Sequence, residues 1–264
     1  MNDKQRQQLE IYLAELRLQI DAKLAQEYPF FSDKPYPLGR CKEIRNTIFQ
    51  ILQKKLSAPK LDAPLIALQS NSAANCELKP VWGSLRDEYF QNALLWGDWY
   101  IDAANDTVNP NKPRVEITQL VNSGFGPITS FEQFCLIARK YWQVTIYKND
   151  VYPALAPFLP LLCVNEKGAC WLAAANDDMI SLARQSQFTL SERIIKELAN
   201  PPERVRLCWY QTYSEVSNPL LKRTDLNPIE FCQRYRCEKK YQNLHFRDEI
   251  VKAYLHLAHG VSVV

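Results

Sequence analysis

The fold is decided by residues 86–108, RDEYFQNALLWGDWYIDAANDTV, where a Gly-Asp pair at 97–98 separates two runs rich in aromatic and aliphatic residues. A short Gly-containing turn between two such runs predicts a β-hairpin, with arms over 89–96 and 99–106. The hairpin carries polar residues where a buried strand is normally apolar, and Asp102 lies among apolar neighbours. Because a buried carboxylate needs a partner, these polar positions are the first candidates for a functional site.

The length of the turn determines which amide lies near Asp102. A two-residue turn places Ala93 opposite Asp102 with Gln91 on the diagonal, whereas a longer turn places Asn92 directly opposite. Both registers predict an amide beside the carboxylate. In the alternative interpretation, Asp102 is structural and satisfies backbone groups at the end of the hairpin through residues 105 and 107.

A helix is predicted upstream, over residues 40–56, because apolar residues recur at helical spacing from Ile44 to Leu52. Cys41 stands in its first turn, where unpaired backbone N–H groups and the helix dipole favour a thiolate. Gly39 lets the chain turn sharply into this helix. The alternative is that Cys41 is a small buried residue at a loop–helix junction.

This arrangement resembles the papain-like and transglutaminase-like cysteine enzymes over about residues 36–108. In those families a nucleophilic cysteine begins a helix, a histidine follows on a strand, and an aspartate or asparagine on the next strand orients the histidine. The resemblance implies Cys41 as the nucleophile and Asp102 as the orienting acid. Gln91 or Asn92 then becomes their hydrogen-bonding partner, which predicts that sulfur and carboxylate lie within a side-chain length of each other.

The histidine that the resemblance requires is missing from the hairpin. Its position falls at residues 90–92, and the sequence holds only His245, His256 and His259. Cysteine–histidine catalysis needs an imidazole within hydrogen-bond reach of the sulfur. Either His245 reaches the site from a distant segment, or the fold has lost this chemistry.

Residues 4–27 predict one amphipathic helix, because apolar side chains recur on one face at helical spacing. The members of this face are Leu9, Tyr12, Leu13, Leu16, Ile20 and Leu24. The face packs against the rest of the domain or, alternatively, forms a homodimer contact. Prolines between positions 29 and 37 prevent regular helix before the next element.

The whole pattern predicts an α+β protein with a mainly antiparallel sheet, the cysteine-bearing helix packed on it and the N-terminal helix across that core. Residues 161–164 and 169–174 predict a second hairpin, and strand formers at 205–213 predict a further strand. The main domain is expected to span 1–200. Residues 201–264 are expected to form a mixed or helical C-terminal extension, or to be part of the same domain.

The composition is that of an ordinary globular chain of 264 residues, with 47% hydrophobic and 23% charged residues. A net charge of +3 is too small to predict nucleic-acid binding. No run approaches about 18 apolar residues, and the first residues lack an apolar signal core, so we expect a cytoplasmic protein without a membrane span. The eight cysteines are expected to be reduced, and no motif predicts a metal or another cofactor.

Three functions are open on these observations. The favoured one is a non-catalytic protein of papain-like or transglutaminase-like fold that binds a protein or small-molecule ligand, with Trp82 and Tyr89 as pocket walls. The second is an active amide hydrolase or deamidase with Cys41 as the nucleophile. The third is a structural protein that dimerises through its N-terminal helix. The missing histidine favours the first and the third over the second.

Overall fold

The structure is a computed structural model that describes residues 1–70 and 76–263. The described residues combine helices with antiparallel sheets, which confirms the predicted α+β class. They form two compact units. The first unit comprises Met1–Arg86 and Phe90–Pro127, and the second comprises Asp87–Tyr89 and the chain from Ile128 onward.

The first unit contains the predicted N-terminal helix, the cysteine-bearing helix and the hairpin. In chain order its elements are α1 (Asp3–Glu27), β1 (Phe30–Phe31), β2 (Lys34–Pro35), α2 (Cys41–Leu56), α3 (Ala63–Ser70), β3 (Leu78–Leu85), β4 (Tyr89–Trp96), β5 (Trp99–Asp102), β6 (Glu116–Gln119), α4 (Leu120–Ser123) and β7 (Phe125–Gly126). Strands β1 and β2 form a separate ribbon. The larger sheet has the strand order β6-β5-β4-β3-β7.

The hairpin of β4 and β5 has the shorter of the two predicted turns. Strand pairing leaves two residues at 97–98 between the strands, and Gly97 takes the positive φ of +56° that such a turn requires. This register places Ala93 opposite Asp102. Strand β5 ends at Asp102 rather than at residue 106, because the chain then enters a 3₁₀ turn over Asn105–Thr107.

The apolar face of α1 is buried within the first unit. It shares one core with the apolar stripe of α2 and with one face of the hairpin. The central members of this core are Leu9, Leu13, Leu16, Ile44, Ile48, Leu52, Leu94, Trp96, Trp99 and Ile101. The predicted packing role of α1 is therefore present, and Ile11 and Leu18 are exposed apolar residues on its outer side.

The second unit is richer in helix. Its elements are α5 (Phe131–Tyr141), β8 (Val144–Lys148), β9 (Leu161–Asn165), β10 (Ala169–Ala173), α6 (Asp177–Gln185), α7 (Thr189–Glu197), α8 (Glu203–Thr212), α9 (Pro228–Cys237), α10 (Leu244–Leu255) and β11 (Val261–Ser262). The strands form an antiparallel sheet of order β11-β10-β9-β8, in which β9 and β10 are the predicted second hairpin.

Residues 205–213 lie mainly in helix α8 and do not form the predicted strand. Val205 and Trp209 lie one helical turn apart and are buried, whereas Leu207 and Tyr210 are exposed. Burial in this segment follows the helical repeat and not the alternation of a strand.

The division of the chain predicted after residue 200 falls between α7 and α8, inside the second unit. Apart from the short segment Asp87–Tyr89, the chain passes from the first compact unit to the second at Pro127 and Ile128. The prolines at 201 and 202 therefore mark a loop between two helices. Within residues 1–70 and 76–263, no helix has the length and apolar character needed to cross a membrane.

Candidate functional site

Cys41 begins α2 immediately after a tight turn at Gly39. Gly39 has a φ of +75°, and a Cβ atom there would lie 2.5 Å from the Phe31 ring, so a larger residue would be strained on both counts. Its backbone N–H donates to the carbonyl of Thr107 at 3.0 Å, which ties the start of α2 to the turn after β5. The Cys41 side chain is half-buried and packs against the core of the first unit.

The hydrogen-bond partner of Cys41 is the amide of Asn92. Asn92 Nδ2 lies 3.3 Å from Cys41 Sγ and donates to it. Arg45, one turn further along α2, donates from Nη2 to Asn92 Oδ1 at 3.0 Å and from Nη1 to the carbonyl of Val81 at 3.1 Å. Because the oxygen of the amide faces Arg45, its nitrogen is directed at the sulfur.

The pKa of the Cys41 thiol is raised, opposite to the shift that a helix start predicts. Burial is the largest cause, and the charges of Asp102 and Glu43 raise the pKa further, while the hydrogen bond from Asn92 lowers it. The neighbouring cation Arg40 is engaged elsewhere, since its Nη1 donates to Glu43 at 3.2 Å. The thiol therefore favours its protonated form.

Asp102 is fully buried and accepts three hydrogen bonds from within the first unit. The donors are Gln91 Nε2, the hydroxyl of Tyr100 at 3.2 Å and the backbone N–H of Ala104 at 2.8 Å. Burial nevertheless raises its pKa to about 6, because it outweighs these neutral donors. The carboxylate thus satisfies a backbone group at the end of the hairpin, at residue 104.

The two predicted contacts lie on opposite faces of β4. Gln91 and Asn92 are consecutive residues of this strand, so their side chains leave the sheet in opposite directions. Asn92 and Cys41 share the core face with Leu94, whereas Gln91 and Asp102 share the other face. Within the described residues, no hydrogen bond joins Cys41 to Asp102. The structure forms two separate pairs from the four predicted residues.

The predicted distant base does not belong to the same unit as Cys41. All three histidines of the chain lie beyond residue 244, so the first unit contains none. His245 is the second residue of α10, with a side chain that is 83% exposed and an Nδ1 atom 3.7 Å from Glu249 Oε1. Among the residues that the structure describes, the hydrogen-bond partner of the Cys41 sulfur is the amide of Asn92.

The two aromatic residues predicted as pocket walls belong to different units. Trp82 is half-buried in the first unit and stacks on Phe90, with 5.4 Å between the ring centroids. Tyr89 is buried in the second unit and packs at a tilt on Tyr141, at a centroid distance of 5.8 Å. Each ring has a packing partner within its own unit.

The first unit also contains a cleft outside the predicted site residues. It has a volume of about 550 Å³ and lies beside the C-terminal half of α1. We call it the α1 cleft. Its polar lining consists of Asp21, Tyr36, Asp106, Lys112 and Arg114.

A buried arginine holds the two acids of the α1 cleft. Arg17 is 0% exposed, and its guanidinium donates to Asp21 at 3.0 Å and to Asp106 at 3.1 Å. Burial opposes its charge, but the two carboxylates outweigh burial and raise the pKa of the guanidinium. Tyr36 and Arg114 also donate to Asp21, at 2.5 and 3.0 Å. We call Arg17, Asp21 and Asp106 the ion-paired cluster.

One sequence signal could have revealed this cluster. Arg17 stands on the apolar face of α1, directly after Leu16 and three residues before Ile20. A charged residue on a face that is otherwise buried needs a counter-charge in the interior. Its partner Asp106 lies 89 residues away in the chain, beyond the reach of any local pattern.

No family model, curated protein or solved structure matches the chain. Function is therefore inferred from side-chain geometry. Two features of the first unit bear on it: the hydrogen-bonded pairs on the two faces of β4, and the α1 cleft.

Proposed function

We propose that the chain is a non-catalytic binding protein, with a fold that resembles the papain-like and transglutaminase-like enzymes and without their cysteine chemistry. The observation that carries this proposal is the hydrogen bond from Asn92 to the Cys41 sulfur, at 3.3 Å. Asn92 lies in the stretch of the hairpin, residues 90–92, where the resemblance puts an imidazole. An amide at this position cannot act as the base that a catalytic thiol needs.

A neutral amide cannot take up the thiol proton, because its nitrogen is a donor and its oxygen is a very weak base. The oxygen of Asn92 is moreover occupied by Arg45 at 3.0 Å. An ordinary thiol is only a few per cent thiolate at neutral pH, and burial raises the pKa of Cys41 further. Cys41 is therefore expected to remain a protonated thiol.

Asp102 does not supply the missing base. It lies on the other face of β4, and its oxygens accept from Gln91, Tyr100 and the backbone of Ala104. A carboxylate with three internal donors acts as a structural group that fixes the end of β5. These contacts support a scaffold for binding and argue against an acid that orients a catalytic base.

A cytoplasmic location and a self-association role are further parts of the proposal. All eight cysteines are free thiols, which is the usual state in the cytoplasm. Homodimerisation through α1 would use its outer side, where Ile11 and Leu18 are 55% and 61% exposed. The preferred ligand remains a protein or a small molecule bound by the first unit.

The reactivity of Cys41 tests the proposal. We would label the native protein with iodoacetamide over a series of pH values and follow each cysteine separately by peptide mass spectrometry. The exposed Cys237 serves as the internal control for an accessible thiol. We expect Cys41 to react more slowly than Cys237 at about pH 6, and its rate to keep rising above the usual thiol pKa of about 8.5.

Slow labelling from poor access and slow labelling from a high pKa are distinguished by the pH at which the rate is half-maximal. That midpoint reports the pKa of the thiol, whereas access scales the rate at every pH. If Cys41 reacts faster than Cys237 at mildly acidic pH, the non-catalytic proposal fails. The alternative of an active amide hydrolase or deamidase with Cys41 as nucleophile then takes its place.

A further inference from the structure

We draw no further inference here: the strongest candidate, the exposed aromatic patch that Tyr28, Phe30 and Phe31 form at the β1–β2 ribbon beside Arg40, carries no proposal because nothing in the part of the chain that the structure describes shows what covers it.

Discussion

The ion-paired cluster beside α1 and the amide-held pairs on β4, Cys41–Asn92 and Asp102–Gln91, bury ionisable groups in the same unit with opposite consequences. Arg17 lies between two carboxylates, which outweigh burial and raise the pKa of its guanidinium. Asp102 is equally buried, but its partners are an amide, a phenol and a backbone N–H. The effect of burial is larger than that of these three donors, and it raises the pKa of Asp102 to about 6.

The difference shows that neutral hydrogen-bond donors offset the burial of a charge less well than oppositely charged partners do. Cys41 follows the same rule as Asp102, because its partner is also a neutral amide and burial raises the pKa of its thiol. The ion-paired cluster keeps full charges in and beneath the wall of the α1 cleft. The amide-held pairs favour the protonated forms of their ionisable groups, and for Cys41 this disfavours the thiolate that nucleophilic chemistry needs.

Removal of Arg17 is expected to have the largest effect. Arg17→Met retains an unbranched apolar chain in the core but removes the guanidinium. Asp21 and Asp106, whose side chains are only 17% and 8% exposed, then lose their shared cation. We expect the free energy of unfolding near neutral pH to fall by about 3–5 kcal/mol, the usual cost when one partner of a buried ion pair is removed. Urea unfolding followed by circular dichroism measures this change.

Arg6→Gln is the matched control for this prediction. Arg6 belongs to the same helix and pairs with Glu10 four residues later at 2.8 Å, as Arg17 pairs with Asp21. Its side chain is 36% exposed, so the loss should be no more than about 0.5 kcal/mol. Equal losses in the two variants would break the comparison, since burial would then make no difference to the ion pair.

Asp102 is expected to make the folded protein less stable as pH rises from about 4 to about 6. An unfolded aspartate has a pKa of about 3.9, whereas the folded value is about 6, so the folded state holds the proton across this window. Its stabilising contribution is complete below about pH 4 and is lost as pH rises through about 6. The two pKa values correspond to a loss of about 3 kcal/mol.

Asp102→Asn isolates this contribution because it keeps the shape and removes the titration. Its new amide can donate to Gln91 Oε1 after rotation of the Gln91 amide, and this buried oxygen has no hydrogen-bond partner within the described residues. Between pH 4 and pH 7, the free energy of unfolding of the variant should rise by about 3 kcal/mol relative to that of the parent, as measured by urea unfolding. Asp98→Asn, on the exposed turn, is the control for the same change of side chain outside the interior. If the difference in the free energy of unfolding between Asp102→Asn and the parent did not change with pH, it would contradict the raised pKa of Asp102.

Most elements of the first unit were predictable because their signals are local. The turn at 97–98 follows from the glycine that a two-residue turn needs, and α1 follows from apolar residues at helical spacing. Helix α8 was not predictable in this way, because its valine, tryptophan and tyrosine favour strands by propensity. Packing of Val205 and Trp209 into the second unit overrides that preference.

Only some of the contacts in the candidate site were predictable from the sequence. The two-residue turn predicts the diagonal contact of Gln91 with Asp102, because register is a local property of the hairpin. The contact of Asn92 with Cys41 spans 51 residues and depends on how α2 packs against the sheet. Such contacts are set by tertiary packing, so a single sequence supplies the residue types and not their grouping.

The smallest predicted effect concerns the conversion of an amide-held pair into an ion pair. In Asn92→His, an imidazole replaces the amide that lies 3.3 Å from the Cys41 sulfur. An imidazole can accept the thiol proton and then stabilise the thiolate as an ion pair, which the amide cannot do. We expect the midpoint of iodoacetamide labelling at Cys41 to move down by about one pH unit, with about tenfold faster labelling near pH 7.

Asn92→Asp is the control at the same position, and it should shift the labelling midpoint in the opposite direction. Its carboxylate would still pair with Arg45, but a second negative charge next to the sulfur disfavours the thiolate, so the midpoint should move up. If the histidine variant stays folded and labels Cys41 no faster than the parent, the identity of its partner does not limit the reactivity of the thiol. If the two variants shift the midpoint in opposite directions, the charge of the partner on β4 controls the reactivity of Cys41. Its neutral amide, like the neutral donors of Asp102, is too weak to offset the effect of burial on the pKa.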